Sequence, residues 1–214
     1  MMFKEEQQAI DQLNQLLKPI QAKYEIVELF LQLDNYTRFH SYRVKEVVFA
    51  IATLQNMPSN QLADLMLASF LHDIGKVAIP DELLNKNTRL NEKELQYVRM
   101  HARIGADMCA MFHISESIVE AIRCHHEYFN GAGYPYGLTA AAIPLESRII
   151  AVADALDVML VGRSYSKPRS LEDAIKIMML NSGSQFDPAL VNTLLTTIKQ
   201  NKNATWMKYA RAYH

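Results

Sequence analysis

Seven histidines mark this chain, and five of them, His40, His72, His101, His125 and His126, sit where chemistry is possible. His72 runs straight into Asp73 within Leu71-His72-Asp73-Ile74-Gly75-Lys76, and His125 and His126 stand side by side ahead of Glu127. Asp154 ends the apolar run Ile149-Ile150-Ala151-Val152-Ala153. A carboxylate buried in such a run is costly unless a cation or a metal ion meets it. Imidazole nitrogens combined with carboxylate oxygens suit divalent ions such as Fe, Mn, Co, Ni or Zn. The two cysteines, Cys109 and Cys124, do not accompany the histidines at zinc-finger spacing, which argues against a thiolate-held structural zinc. A carboxylate can join two ions through its two oxygens, and Asp73 is the natural bridge. Two ions about 3.5–4 Å apart clamp a phosphoryl group and lower the pKa of a bound water from about 15.7 to about 7, giving a metal-bound hydroxide at neutral pH. The spacing alone leaves this reading level with a plainer one, in which each histidine is a separate surface or hydrogen-bonded residue.

Those residues need elements that carry them together. Glycine and proline are sparse at 7 each, 50% of residues are hydrophobic, and apolar positions recur every three or four residues, so the chain reads as all-α. Helices are expected at 3–17, 20–33 and 36–55, then from a cap at Ser59 or Asn60 to about His72. Asn91 with Glu94 predicts a capping box opening a helix to about Met111, and Ser117 with Glu120 repeats that spacing before a helix ending near His126. Pro144 suits the first turn of a helix to about Val161, Ser170 caps another, and Asp187-Pro188 opens one more. The Gly-dense stretch 130–137 must be a loop.

At 214 residues the chain supports one good core. Lys+Arg 22 against Asp+Glu 23 gives a net charge of -1, which argues against wrapping duplex nucleic acid. No apolar run reaches membrane-spanning length, and the first residues lack an export signal, so no membrane partner and a cytoplasmic, reducing setting are expected. Both cysteines read as buried thiols.

Taken in order, His40-Ser41-Tyr42-Arg43-Val44, Leu71 through Lys76, Ile79-Pro80-Asp81, His101 with Gly105, His125-His126-Glu127, Gly131-Ala132-Gly133-Tyr134-Pro135, Arg148 through Asp157, Arg163 with Tyr165, and Phe186-Asp187-Pro188 form a pattern. It resembles the HD-GYP phosphodiesterases, a branch of the HD-domain metal-dependent phosphohydrolases. The resemblance implies an HD-domain helical bundle, with residues 1–34 as an N-terminal helical extension, 35–200 as the catalytic domain and 201–214 as a C-terminal helical tail. It implies hydrolysis of the second messenger cyclic di-GMP to linear pGpG or on to GMP; some members act on cyclic GMP-AMP. It also implies two divalent transition-metal ions, iron or manganese. His40, His72, Asp73 and Asp154 would hold one, and Asp73 would bridge to a second held by His101, His125 and His126. A hydroxide on the ions would attack phosphorus, with Asp73 and Lys76 as catalytic groups. Lys76 would pair with a substrate phosphate or offset the negative ligands. Tyr134, Arg163 and Tyr165 would contact substrate, Tyr134 by stacking on a base. Gly133-Tyr134-Pro135 fits a substrate lip, a docking surface for a signalling partner, or a structural turn. Asp157, one turn after Asp154, is expected to brace a ligand. For Glu127 and Arg148 a helix-surface ion pair is at least as good a reading.

The chain also departs from the family. Tyr36 stands where some members place a glutamate that holds a third metal, so two metals and pGpG as main product are expected. The loop reads Asn130-Gly131-Ala132-Gly133 in place of Asp-Gly-Ser-Gly. Arg163-Ser164-Tyr165-Ser166 lacks the usual proline and second basic residue, for which Lys167 could substitute. A low-turnover cyclic dinucleotide-binding signalling module, and an HD hydrolase of another nucleotide phosphoester, are the competing readings. The N-terminal helices are expected to pack on the core rather than form a dimer contact. The oligomeric state stays open.

Overall fold

A computed structural model describes residues 2–162 and 167–200. The all-α expectation holds: the order is α1 (Met2–Leu16), α2 (Lys23–Gln32), α3 (Asn35–Leu54), α4 (Ser59–Leu71), a 3-10 segment (Ile74–Ala78), α5 (Asp81–Leu84), α6 (Glu92–Met111), α7 (Glu116–Arg123), a second 3-10 turn (Ala140–Ala142), α8 (Leu145–Val161), α9 (Leu171–Leu180) and α10 (Pro188–Gln200). Among the described residues there is no strand, only the isolated bridges Asn130–Thr139 and Ser182–Phe186.

Several helix starts follow their sequence signals. Asn91 Oδ1 accepts from Glu94 N while Glu94 Oε2 accepts from Asn91 N, a complete capping box. Ser170 Oγ accepts from Asp173 N, and Asp187 Oδ1 accepts from Ala189 N. Two caps differ from expectation. Pro58, not Ser59 or Asn60, precedes α4, and α4 has no side-chain cap bond. Ser117 lies inside α7, its hydroxyl turned to Ser115 and Asp64, so α7 starts two residues earlier, after Ser115, and without a capping box.

Helix α3 packs on α4 and α8, and α6 packs on α7 and the first 3-10 segment. Ile51, Leu65, Phe70, Ile122, Ile149 and Leu156 are completely buried between them. Each such side chain contributes roughly 1.5–3 kcal/mol on burial. The N-terminal helices join this same core: Leu13, Leu17 and Ile26 are fully buried, and Phe30 meets Phe70 edge-on at 6.0 Å. Lys45 is buried too, and its Nζ donates to Gln12 and Glu46 while lying 4.9 Å from the Tyr42 ring, a polar stitch between α1 and α3. The tail expected at 201–214 lies outside the described residues.

Candidate metal centre

Helix α4 ends at Leu71 and hands His72 and Asp73 to the chain turn that follows; α7 ends at Arg123 and hands on His125 and His126. Helices α3, α6 and α8 carry His40, His101 and Asp154 within their lengths. These five elements bring the seven residues together. His40, His72 and Asp73 offer ligand atoms within 4.8 Å of one another, and so do His101, His125 and His126. Asp73 faces both groups: Oδ2 lies 3.4 Å from His72 Nε2 and 3.7 Å from His40 Nε2, while Oδ1 lies 3.3 Å from His101 Nε2. Asp154 Oδ1 lies 3.1 Å from His40 Nε2 without aligned hydrogen-bond geometry.

The imidazoles share one orientation rule. Nδ1 of His72, His101 and His125 donates to the carbonyl three residues back, that of Ser69, Val98 and Ile122, at 2.8, 2.7 and 2.6 Å. In α4 and α7 those carbonyls belong to the last turn, whose oxygens lack helical partners. His40 Nδ1 instead meets Asp157 Oδ2 at 2.8 Å, and Arg43 holds Asp157 through bonds of 2.7 and 2.9 Å. With Nδ1 carrying the proton, each Nε2 turns its lone pair inward. Nε2 of His40, His72 and His125 and Oδ1 of Asp154 are buried and find no hydrogen-bond partner among the described residues. A folded core normally satisfies such atoms. Their convergence in an N/O donor set is what a divalent cation would satisfy, so the residues present fit the metals that the resemblance implies.

Burial sets the charges. It pushes His101 and His125 down to about 4 and holds His72 and His126 low as well, so these rings are neutral donors. Burial also pulls His40 down, but its contacts with Asp154 and Asp157 outweigh it and raise this ring. Burial alone would raise Asp73; Lys76, His72, His101 and His40 reverse that and hold it well below the usual carboxylate range. Lys76 Nζ donates to Asp73 Oδ2 at 2.6 Å.

Above the cluster opens a cavity of about 1160 Å³, reached by Asp73, Lys76, His101, His126 and Asp154. His40, His72 and His125, each at most 1% exposed, form the floor behind them. Tyr134 walls the cavity, its ring centroid 4.9 Å from that of His126. The loop carrying it is drawn down hard. A Cβ on Gly133 would stand 2.2 Å from Tyr128 N and 2.5 Å from His126 O, so only glycine allows this approach. Gly75 and Gly105 likewise let the first 3-10 segment lie backbone to backbone on α6, since a Cβ on Gly75 would stand 2.1 Å from His101 O.

The HD domain family pattern matches residues 5–190. The chain belongs to the HD-domain family. A cyclic di-GMP phosphodiesterase response regulator of Xanthomonas campestris is 36% identical over 165 residues, covering 76% of this chain and 43% of the relative. A cyclic di-GMP phosphodiesterase of Thermotoga maritima is 33% identical over 183 residues, covering 83% of this chain and 50% of the relative. This HD-domain chain therefore spans half or less of the length of these relatives. An HDG"Y"P protein of Bdellovibrio bacteriovorus shares the fold, with a TM-score of 0.65 at 19% identity over 92% of this chain and 63% of the other.

Within this HD domain, several residues differ from their sequence reading. Glu127 is no helix-surface ion pair: it is buried, and its carboxylate accepts from the main-chain N–H groups of Tyr136, Gly137 and Leu138 at 2.6, 3.1 and 3.1 Å. Arg148, by contrast, does form an ion pair as read, with Asp187 at 2.6 Å, tying α8 to the start of α10. Asn130 Oδ1 accepts from Ala132 N, a turn bond that an aspartate oxygen would make equally well. Arg163 and Tyr165 lie outside the described residues. Arg43 had no role in the sequence reading. Its place three residues after His40, one turn along α3, was the signal that could have found it.

Proposed function

We propose that this chain is a metal-dependent phosphodiesterase that hydrolyses a cyclic dinucleotide, cyclic di-GMP foremost, to linear pGpG. The observation that carries this reading is Asp73, whose two oxygens face two groups of histidine nitrogens at the base of a cavity large enough for such a ligand. The names of the relatives support the substrate class. His40, His72, Asp73 and Asp154 would hold one divalent transition-metal ion, iron or manganese, and Asp73, His101, His125 and His126 a second. When bound, the ions supply Lewis acidity toward the phosphoryl oxygens and activation of the attacking water. The chain itself does the rest. The Nδ1–H bonds of His72, His101 and His125 fix which nitrogen faces inward. Lys76 offsets the charge of Asp73, and Tyr134 offers a ring face to a base. Because Tyr134 turns inward onto His126, the substrate-lip use of its loop is favoured over docking of a signalling protein. At the position where some relatives hold a third ion, the Tyr36 hydroxyl donates to Gly162 O at 2.7 Å and its ring stacks on His40, which supports two metals and pGpG as product.

The test is metal analysis of anaerobically purified protein joined to a hydrolysis panel of cyclic di-GMP, cyclic GMP-AMP and mononucleotide esters. About two ions per chain and release of pGpG are expected, with His72→Ala and Asp73→Ala abolishing turnover. Full activity in those variants would overturn the site. The altered segment at 163–166 favours one second reading, a low-turnover binding module. Tight cyclic di-GMP binding without product, across metals and redox states, would select it; turnover of mononucleotide esters alone would instead select a different HD hydrolase.

A further inference from the structure

Lys76, Lys86, Arg89 and Arg99 are the lysines and arginines that line the cavity among the described residues. Their surroundings divide them. Lys76 is matched by Asp73 at 2.6 Å, and Lys86 by both oxygens of Glu94 at 2.7 Å. Neither Arg89 nor Arg99 makes an ion pair with an acidic side chain among the described residues. The cavity thus has two compensated cations, one at the metal cluster, and two guanidinium groups that no acidic side chain among the described residues pairs.

Arg99 is also held in place. Its Cζ lies 5.1 Å from the centroid of the Tyr134 ring, and that ring stands 4.9 Å from His126. One aromatic ring is therefore in contact with both a metal-facing imidazole and a guanidinium. A guanidinium resting its face on an aromatic ring keeps its N–H edge available, and that edge matches two oxygens of a phosphate. Arg89 reaches the same cavity from the segment between α5 and α6.

We propose that Arg99, with Arg89, forms a second anion subsite that grips the phosphodiester of a cyclic dinucleotide not being cleaved. This rests on the reading above that such a dinucleotide is the substrate. A cyclic dinucleotide carries two phosphodiesters on opposite sides of one macrocycle. When one sits on the cluster, the other lies further along the cleft, where a pair of guanidinium groups can meet its charge. The two arginines add that contact for a two-phosphate ligand and give nothing to a ligand with one phosphate. They are selectivity groups, acting on which phosphodiester enters rather than on the reacting bond.

The test compares kcat/KM for cyclic di-GMP with kcat/KM for bis(p-nitrophenyl) phosphate, a diester with a single phosphate. It uses the full chain, as wild type, Arg99→Ala, Arg99→Lys and the Arg89→Ala/Arg99→Ala double variant. Both arginines are exposed, so their removal does not hollow the core. The ratio of the two kcat/KM values should fall by roughly tenfold or more in Arg99→Ala, as the loss of a charge-assisted hydrogen-bond pair predicts. The fall should appear in KM for cyclic di-GMP, be larger in the double variant and partial in Arg99→Lys. The salt dependence of that KM should flatten as well. A ratio that stays within twofold in the double variant overturns the subsite, whether both activities persist or both fall together. A wild-type chain that cleaves bis(p-nitrophenyl) phosphate but no cyclic dinucleotide would sink the proposed function instead.

Discussion

Asp157 Oδ2 stands 2.8 Å from Nδ1 of His40, on the ring edge opposite the Nε2 that faces Asp154. Two carboxylates one turn apart on α8 thus flank one imidazole, Asp157 as its hydrogen-bond partner, and Arg43 locks that outer carboxylate with two bonds. Asp157→Asn keeps the shape and removes the charge that orients this ring. Groups that brace metal-ligating histidines in this way are worth about 10–100-fold in metal affinity. Competition against a metal-binding dye, with Mn²⁺ added to chelator-treated protein, should show a loss of that order. Wild-type affinity in Asp157→Asn would mean that the ring is oriented by α3 alone.

Glu127 binds the far end of its own loop. Three main-chain N–H groups converge on a carboxylate that is 3% exposed, and a glutamine would offer them one neutral oxygen. Leaving buried donors short of an acceptor costs about 1–3 kcal/mol. Urea denaturation of Glu127→Gln should show a loss in that range. Amide hydrogen exchange at Tyr136, Gly137 and Leu138 should accelerate relative to α6. Unaltered protection at those three amides would refute the clamp.

Cys109 is 1% exposed, and burial pushes its thiol from 9.0 up to about 12. The unfolded chain ionises this thiol from about pH 9 and the folded chain does not. A raised folded pKa makes a contribution that is fully present below the unfolded value and is lost as pH climbs toward the folded one. Between those limits the loss from this one group approaches ~1.4 kcal/mol per pH unit. The stability of Cys109→Ala, followed from pH 8 to 10.5, should therefore fall less steeply than that of the wild type. Parallel curves for the two proteins would show that the buried thiol is not the group responsible.

The residues that converge on the cluster were legible because their chemistry is carried by type and order. A histidine-aspartate step, a histidine pair and an aspartate in an apolar run left a metal site level with separate histidines, until their order along the chain matched a known pattern. The capping box at Asn91 was equally legible, because Glu94 must lie three residues on for both bonds to close. The same spacing at Ser117 misled, since a serine inside a helix can also turn outward, and here Asp64 from another element receives its hydroxyl. Glu127 was misread for a related reason. Its partners are backbone amides nine to eleven residues away, and amides leave no trace in residue type. The pairing of Arg99 with Tyr134 joins residues from separate elements and has no spacing rule at all.

The contact between Gly75 and Gly105 has a consequence for how this fold can diverge. Main chain meets main chain where the 3-10 segment after Asp73 crosses the helix that bears His101. The gap across the cluster is therefore gauged by the thickness of two peptide backbones, a dimension that no side-chain replacement can shrink or stretch by degrees. Exchanges among the wall residues can resize the chamber above, while a side chain added at Gly75 would force the floor itself apart.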